Sequence, residues 1–353
     1  MRRFAAVLLL VLLAAAPVVG LELTEGRIRL VLHEASGRFS VDYRPELESE
    51  RYIPLIDSTD PRTSALWIRD GNDVYRLGNA PRFDLSVERQ AGGRAAFVWT
   101  SSVLRITERF SFVTSDAARL ANGVLVELII ENVSELPREV GARYLFDTYL
   151  AESRQAHFLL AGGERVRSEI EIRPSGARSW YATPAPDTQG VGFQQLIAGE
   201  GITRPERVVL ANWKRLSETT YDYRVDTDRT FSLLPYSIDD SAAAVYYGAD
   251  QLAPGDSRRI TTLIGNLDRE GYADFSVART ESAELLERAR DEASASPDLD
   301  AETAREELVS VNDLLDEIET LLAGEGQLDD DDVEVVEEIL RQLENRKEAY
   351  DTR

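Results

Sequence analysis

Residues 120–147, LANGVLVELIIENVSELPREVGARYLFD, constrain this chain more than any other stretch. They read as two apolar, β-branched strands, 124–131 and 140–146, joined by a turn-rich connector at 132–138. In the first strand Val124, Val126, Leu128 and Ile130 share one face, while Leu125, Glu127, Ile129 and Glu131 share the other, which is only partly polar. Two such strands side by side cannot hide their apolar faces alone, so a second sheet must pack against them.

The rest of the chain reads as the supply of that sheet. Residues 21–41 form a hairpin, and 64–69 and 73–77 flank the turn Asp70-Gly71-Asn72. Residues 83–89, 95–101 and 103–113 continue as an antiparallel meander. Beyond the central pair, further strands are expected at 157–160, 167–173, 192–197, 207–211, 242–247 and 258–264, with 174–187 as a surface loop. Roughly fifteen strands result, more than a simple sandwich needs, so an enlarged sandwich or two adjoining sheet lobes is expected.

LIIENVSELPREVGARYLFD (128–147) and YYGADQLAPGDSRRITTLIG (246–265) carry a resemblance. In each, an apolar strand runs into a polar turn and a returning strand, and in the second a Pro-Gly turn precedes the final strand. This ordering resembles the β-supersandwich of galactose-mutarotase-like, carbohydrate-associated domains, over about residues 21–265. The resemblance implies a glycan-facing cleft and transfers no activity. Mutarotases look to histidines and a carboxylate for acid–base work. The histidines here are His33 and His157, and neither maps onto such a role with its partner.

The two ends of the chain have other compositions. MRRFAAVLLLVLLAAAPVVG (1–20) has two arginines, an apolar run and small closing residues, the pattern of a secretory signal peptide. A periplasmic or secreted protein is therefore expected, with no integral membrane segment after cleavage. With no cysteine, no disulfide supports the exported chain, which must rely on its core. Residues 281–353 carry 25 acidic against 7 basic side chains and so most of the net charge of −23. Such a surface repels nucleic acid. The period also changes there: Leu308, Val311, Leu315, Ile318 and Leu322 are spaced 3, 4, 3 and 4, the seam of a coiled coil or helical hairpin. A first helix is expected before this seam, at 280–293, and a third follows it with Val333, Val336, Leu340 and Leu343.

Candidate sites are sparse. Asp147 closes an apolar strand, where a carboxylate could act as acid, base or sugar-hydroxyl acceptor, or could simply cap a loop. Glu127 and Glu131 are candidates for the second carboxylate that glycosidase chemistry needs. Trp180 and Tyr181, in the Pro/Gly-rich loop, form an aromatic pair that could stack on a sugar ring or pack as a lid over the sheet, and Trp213, Tyr221 and Tyr223 are candidates for the same face. The acidic run 329–332 lacks the central glycine of an EF-hand, since the sixth position from Asp329 is Glu334, and reads as helix capping and solvation with loose cation binding as the alternative. No metal site or cofactor is expected: His33 has no second histidine near it, and no phosphate loop, dinucleotide fingerprint, CxxC or GxSxG is present.

The expectation is thus a large antiparallel β-sandwich at 21–275 followed by an acidic C-terminal α-helical hairpin or small bundle at 280–350. The function expected is noncatalytic binding or scaffolding, with a protein partner or self-association through the helical tail. The alternative is a carbohydrate-active enzyme or sugar-binding module using a cleft of the sandwich, with a glycan as its ligand.

Overall fold

The computed structural model describes residues 20–277, except 48, 91–92, 116–117, 153–156, 176–177, 186–189, 269–271 and 273–274. The chain opens with β1 (Leu21–Glu25), β2 (Ile28–His33), β3 (Arg38–Tyr43), β4 (Ile53–Pro54), β5 (Ala65–Asp70) and β6 (Asp73–Arg76). The meander is β7 (Asp84–Gln90), β8 (Arg94–Thr100), β9 (Leu104–Ser115) and β10 (Gly123–Asn132), followed by β11 (Arg138–Asp147). Short strands come next: β12 (Phe158–Leu160), β13 (Arg165–Val166), β14 (Ile170–Ile172), β15 (Ser179–Pro184), β16 (Gly192–Ala198) and β17 (Arg207–Asn212). Helix α1 (Trp213–Glu218) leads to β18 (Ser241–Leu252), β19 (Ser257–Asn266) and β20 (Phe275–Val277).

Among the described residues three antiparallel sheets form. The largest has ten strands, ordered β13-β12-β15-β16-β19-β10-β9-β8-β7, with β20 also on β9. A six-stranded sheet runs β14-β17-β18-β11-β5-β6, and β1 to β4 make a four-stranded sheet. The alternation in β10 holds as the sequence predicts: Val124, Val126, Leu128 and Ile130 are buried in the main core, and their neighbours are half-buried. That core lies between the two large sheets, where Tyr144 and Phe146 of β11 meet Phe97, Trp99 and Phe110 of the meander and Phe193 of β16. The four-stranded sheet adds Ile28, Leu30, Leu32 and Val41. Each large apolar side chain fully buried here contributes roughly 1.5–3 kcal/mol.

One expectation about the central pair is corrected. β10 and β11 do not pair: β10 lies between β9 and β19, and β11 between β5 and β18. The connector at 133–137 crosses between sheets, and so does the Pro-Gly turn between β18 and β19. Buried Asn132 joins the two crossings. Its Nδ2 donates to Leu136 O (2.8 Å) and Leu252 O (3.0 Å), and its Oδ1 accepts from Ser134 N (3.0 Å). Its backbone exchanges bonds with the second crossing, Asn132 N to Asp256 O and Gly255 N to Asn132 O, each 2.9 Å.

β11 is buried on both faces. Opposite the core, Leu145 joins Trp67, Val209, Leu216, Tyr221 and Tyr246 in a second apolar layer beneath α1. Arg143, fully buried, lies 4.7 Å over the Trp67 ring and 5.4 Å over that of Tyr246. It donates to Leu216 O (2.7 Å) and Thr219 O (3.3 Å), so a cation meets the carbonyl end of the helix.

The fold class is also corrected. The mostly-β antiparallel sandwich stands, but α1, six residues long, is the α-helix among the described residues. No helical hairpin, bundle or coiled coil occurs among them, and 280–350, where these were expected, lies outside the described residues. Self-association through a helical tail is corrected as well, since the described residues contain no helix long enough to carry such a contact. No helix among the described residues is long and apolar enough to cross a membrane.

Candidate functional site: a carboxylate cluster at one end of the six-stranded sheet

Strand register brings four chain segments to one end of the six-stranded sheet. Leu145 pairs Ala65 at the start of β5, Asp147 pairs Ala242, and Asn212 at the end of β17 pairs Ser241 at the start of β18. The residues just outside these strands therefore meet. They are Asp57 and Thr63 before β5, Thr148 to Glu152 after β11, Trp213 after β17, and Asp240 before β18.

Asp147, Glu152 and Asp240 can each offer one oxygen, all within 4.8 Å of one another. Asp147 is 6% exposed, whereas Glu152 and Asp240 are half-buried, so one carboxylate stands behind two that reach the surface. Burial pushes the Asp147 carboxyl up to about 7, against a hydrogen bond from Thr63, and the charges of Asp240 and Asp57 add to the rise. Glu152 is pushed up to about 8, again chiefly by burial, with Asp240, Asp147 and Asp57 adding repulsion. Asp240 is raised by burial too, but the Ser237 hydroxyl and the Lys214 charge pull it down. Like charges this close cannot all ionise without a cation, so the cluster holds a proton at neutral pH.

The backbone around these groups is closely tied. Asp147 N donates to Ser64 Oγ (3.0 Å), Asp57 N to Asp147 O (3.1 Å), and Ser241 N to Glu152 Oε1 (3.0 Å). Thr148 and Ser241 exchange hydroxyl-to-carbonyl bonds of 3.1 and 2.9 Å. Buried Asn212 is the hub. Its Oδ1 caps α1 by accepting from Arg215 N (3.2 Å), and its Nδ2 donates to Phe231 O, Ser237 Oγ and Asp240 O at 2.7, 2.6 and 3.0 Å. Ser237 Oγ in turn donates to Asp240 Oδ2 at 2.6 Å.

Of the residues singled out in the sequence, the structure brings together Asp147 and Trp213. Trp213 is half-buried on α1, and its Nε1 donates to the carbonyl of Thr63, whose side chain holds Asp147. Glu127 and Glu131 lie elsewhere, on the outer face of the large sheet. There Glu127 pairs with Arg259 (2.6 Å) and Arg109 (3.7 Å), and Glu131 with Arg105 (3.5 Å). Trp180 and Tyr181 sit in β15 rather than a surface loop, and successive residues of a strand face opposite ways. Trp180 packs with Val113, Leu196 and Tyr272 outside the large sheet, and Tyr181 is enclosed in the core with its hydroxyl 2.6 Å from Gln195 Oε1. Tyr221 and Tyr223 belong to the layer beneath α1. His33 meets Ser40 (2.8 Å) at a strand end, and His157 is buried against Phe231, its titration lowered by burial to about 4.

The sequence reading missed Glu152 and Asp240. The signal was a carboxylate just outside each of two apolar strands, but their meeting depends on the pairing of β11 with β18.

A second buried carboxylate lies near by. Glu108, in the main core, accepts from Tyr144 Oη (2.8 Å) and is pushed up to about 7 by burial. It lines a cavity of about 10 Å³ together with Arg38, Ser64 and Phe146, room for one water.

No family model matches the sequence, and no curated protein matches it. Among solved structures, the fold is similar to that of galactose-mutarotase-like proteins. A galactose mutarotase related enzyme from Lactobacillus acidophilus matches with TM-score 0.45 and 8% identity, covering 71% of this chain and 98% of that one. A galactose mutarotase-like protein from Lactobacillus casei matches with TM-score 0.43 and 9% identity over 70% and 100%. A bacterial glucoamylase complexed with acarbose matches with TM-score 0.40 and 12% identity over 70% of this chain and 31% of its own. The expectation of a noncatalytic scaffold acting through a helical tail is corrected accordingly. The described residues contain no helix long enough to carry scaffolding, α1 being six residues long, and a cluster of three carboxylates lies at the end of the six-stranded sheet.

Proposed function

We propose that this protein is a carbohydrate-active enzyme performing acid–base chemistry at the anomeric centre of a sugar, at the Asp147–Glu152–Asp240 cluster. The observation that carries the reading is the cluster itself: three carboxylates with oxygens within 4.8 Å of one another, one buried behind two half-buried, too close for all to ionise together. Glu152 holds its proton to about pH 8 and is the general acid. Asp240, raised by burial but eased back by the Ser237 hydroxyl and the Lys214 charge, is the general base. Asp147, behind them, is a positioning residue whose negative charge raises the Glu152 titration. Oxygens all within 4.8 Å of one another can act on one sugar carbon together. The resemblance carried by residues 128–147 and 246–265 supports the substrate class. The leader-like residues 1–20 support export, so we place this activity in the periplasm or outside the cell.

The test is polarimetry of α-D-glucose and α-D-galactose anomerisation, together with release of p-nitrophenol from aryl glycosides. Glu152→Gln and Asp240→Asn are expected to lower kcat by about 10²–10⁴-fold. Asp147→Asn removes a like charge, so the alkaline limb of the pH–rate profile moves to lower pH. Full activity in both Glu152→Gln and Asp240→Asn overturns the reading.

The same oxygens favour a second reading, a divalent cation held by Asp147, Glu152 and Asp240. It requires CaCl2 to raise the melting temperature in the wild type and not in Asp147→Asn.

A further inference from the structure

The loop between α1 and β18 presents an apolar surface that the fold does not use. Tyr236 is 75% exposed, Leu234 72% and Ile238 65%, so three large apolar side chains within five residues face solvent. Most large apolar groups elsewhere in the described chain are withdrawn from water, and a clustered exception of this kind marks a contact surface.

The loop is also closely held. Leu233 N donates to Ser237 O (2.6 Å), Ser237 N returns a bond to Leu233 O (2.9 Å), and Tyr236 N donates to Leu233 O (2.8 Å). On its far side Asp239, at φ 51°, bonds through its backbone N to Ser232 Oγ (2.9 Å). The frame that holds the tip is the frame of the carboxylate cluster: Ser237 Oγ bonds Asp240 Oδ2 and accepts from Asn212 Nδ2, both at 2.6 Å. Tyr236 directly precedes Ser237, whose hydroxyl bonds Asp240, so its backbone is anchored one residue from a contact to the cluster.

We infer that Tyr236, flanked by Leu234 and Ile238, is the stacking platform for a pyranose ring of the glycan whose reacting end lies at Glu152 and Asp240. The inference rests on the function proposed above and assigns that site its second subsite. A pyranose ring has apolar C–H faces and a rim of hydroxyls. A rigid aromatic beside hydrogen-bonding carboxyls offers a match to both. Charge argues against an anionic lipid surface as the occupant, because the tip stands beside three carboxylates on an acidic chain.

The experiment uses the full chain, with cellotetraose and maltotetraose as probes in calorimetric titration and the anomerisation and hydrolysis assays alongside. Tyr236→Ala is expected to weaken binding of at least one probe about tenfold, which is about 1.4 kcal/mol. Tyr236→Phe, which keeps the ring, is expected to bind like the wild type, and Glu152→Gln to bind while losing turnover. Unchanged binding in Tyr236→Ala while Glu152→Gln is inactive overturns the platform alone. Weakened binding in Tyr236→Ala with Glu152→Gln fully active overturns the catalytic reading and leaves the stacking contact standing. Failure of the wild type to bind either probe overturns the inference. So does Tyr236-dependent capture on phosphatidylcholine vesicles, or a dimer that Tyr236→Ala dissociates, without glycan binding.

Discussion

Single residues set how this protein responds to pH. Asp147, Glu152 and Glu108 have folded-state values of about 7, 8 and 7, far above those of free carboxyls. An acid whose titration is raised on folding binds more protons in the native state than in the unfolded one. Its contribution is therefore complete below about pH 4 and is lost as pH rises through 7 to 8. His157 acts in the opposite sense, because its value is lowered to about 4 and stability is lost as pH falls from 6.5. Three carboxyls outweigh one imidazole, so the melting temperature is expected to fall between about pH 4 and 8. Asp147→Asn with Glu152→Gln flattens that slope, and thermal melts across the range measure it. At this scale the place of Asp147 at the end of an apolar strand was legible, and its meeting with Glu152 and Asp240 was not. Trp180 was misplaced because a Pro/Gly-rich flank looks like a loop whether or not a strand runs through it.

Among elements, β11 and the two crossovers carry the most consequence. Arg143 fills the space between Trp67 and Tyr246 and satisfies two carbonyls at the end of α1. Arg143→Leu is expected to cost about 2–4 kcal/mol in urea unfolding, through a cavity and unpaired carbonyls. Arg143→Lys recovers little of it, because an ammonium cannot stack between rings as a guanidinium does. Asn132→Ala should cost about 1–3 kcal/mol for each carbonyl left unsatisfied. The alternation in β10 was readable from sequence because one face is core and the other half-exposed. β11 hides residues on both faces, so its sequence shows no preference for a partner, and its pairing was misread. Strand existence follows from local pattern; strand neighbours follow from long-range register.

For the whole molecule, the sandwich was foreseeable from the apolar pair and the turn spacing, and the site was not. Its carboxylates come from the ends of β11 and the approach to β18, nearly a hundred residues apart in the chain, and only the completed sheet brings them together. Hydrogen exchange should reflect the same layering. The amides of β10, β19, β11 and β18, central in their sheets, are expected to exchange only through global unfolding. Those of the edge strands β7, β13, β14 and β6 are expected to exchange through local opening. Equal protection at edges and centres would contradict this order.

The pairing of β10 with β19 also bears on synthesis. Gly123 meets Gly265 and Glu131 meets Ser257, so one edge of β10 waits for a partner from the far end of the described chain. A ribosome delivers that partner only after more than a hundred further residues, several seconds later at about 5–20 residues per second. Until then a ten-residue strand with a fully apolar face has an open hydrogen-bonding edge, the arrangement that recruits strands from other chains. A nascent chain of this design leaves that edge open to such pairing until β19 has emerged.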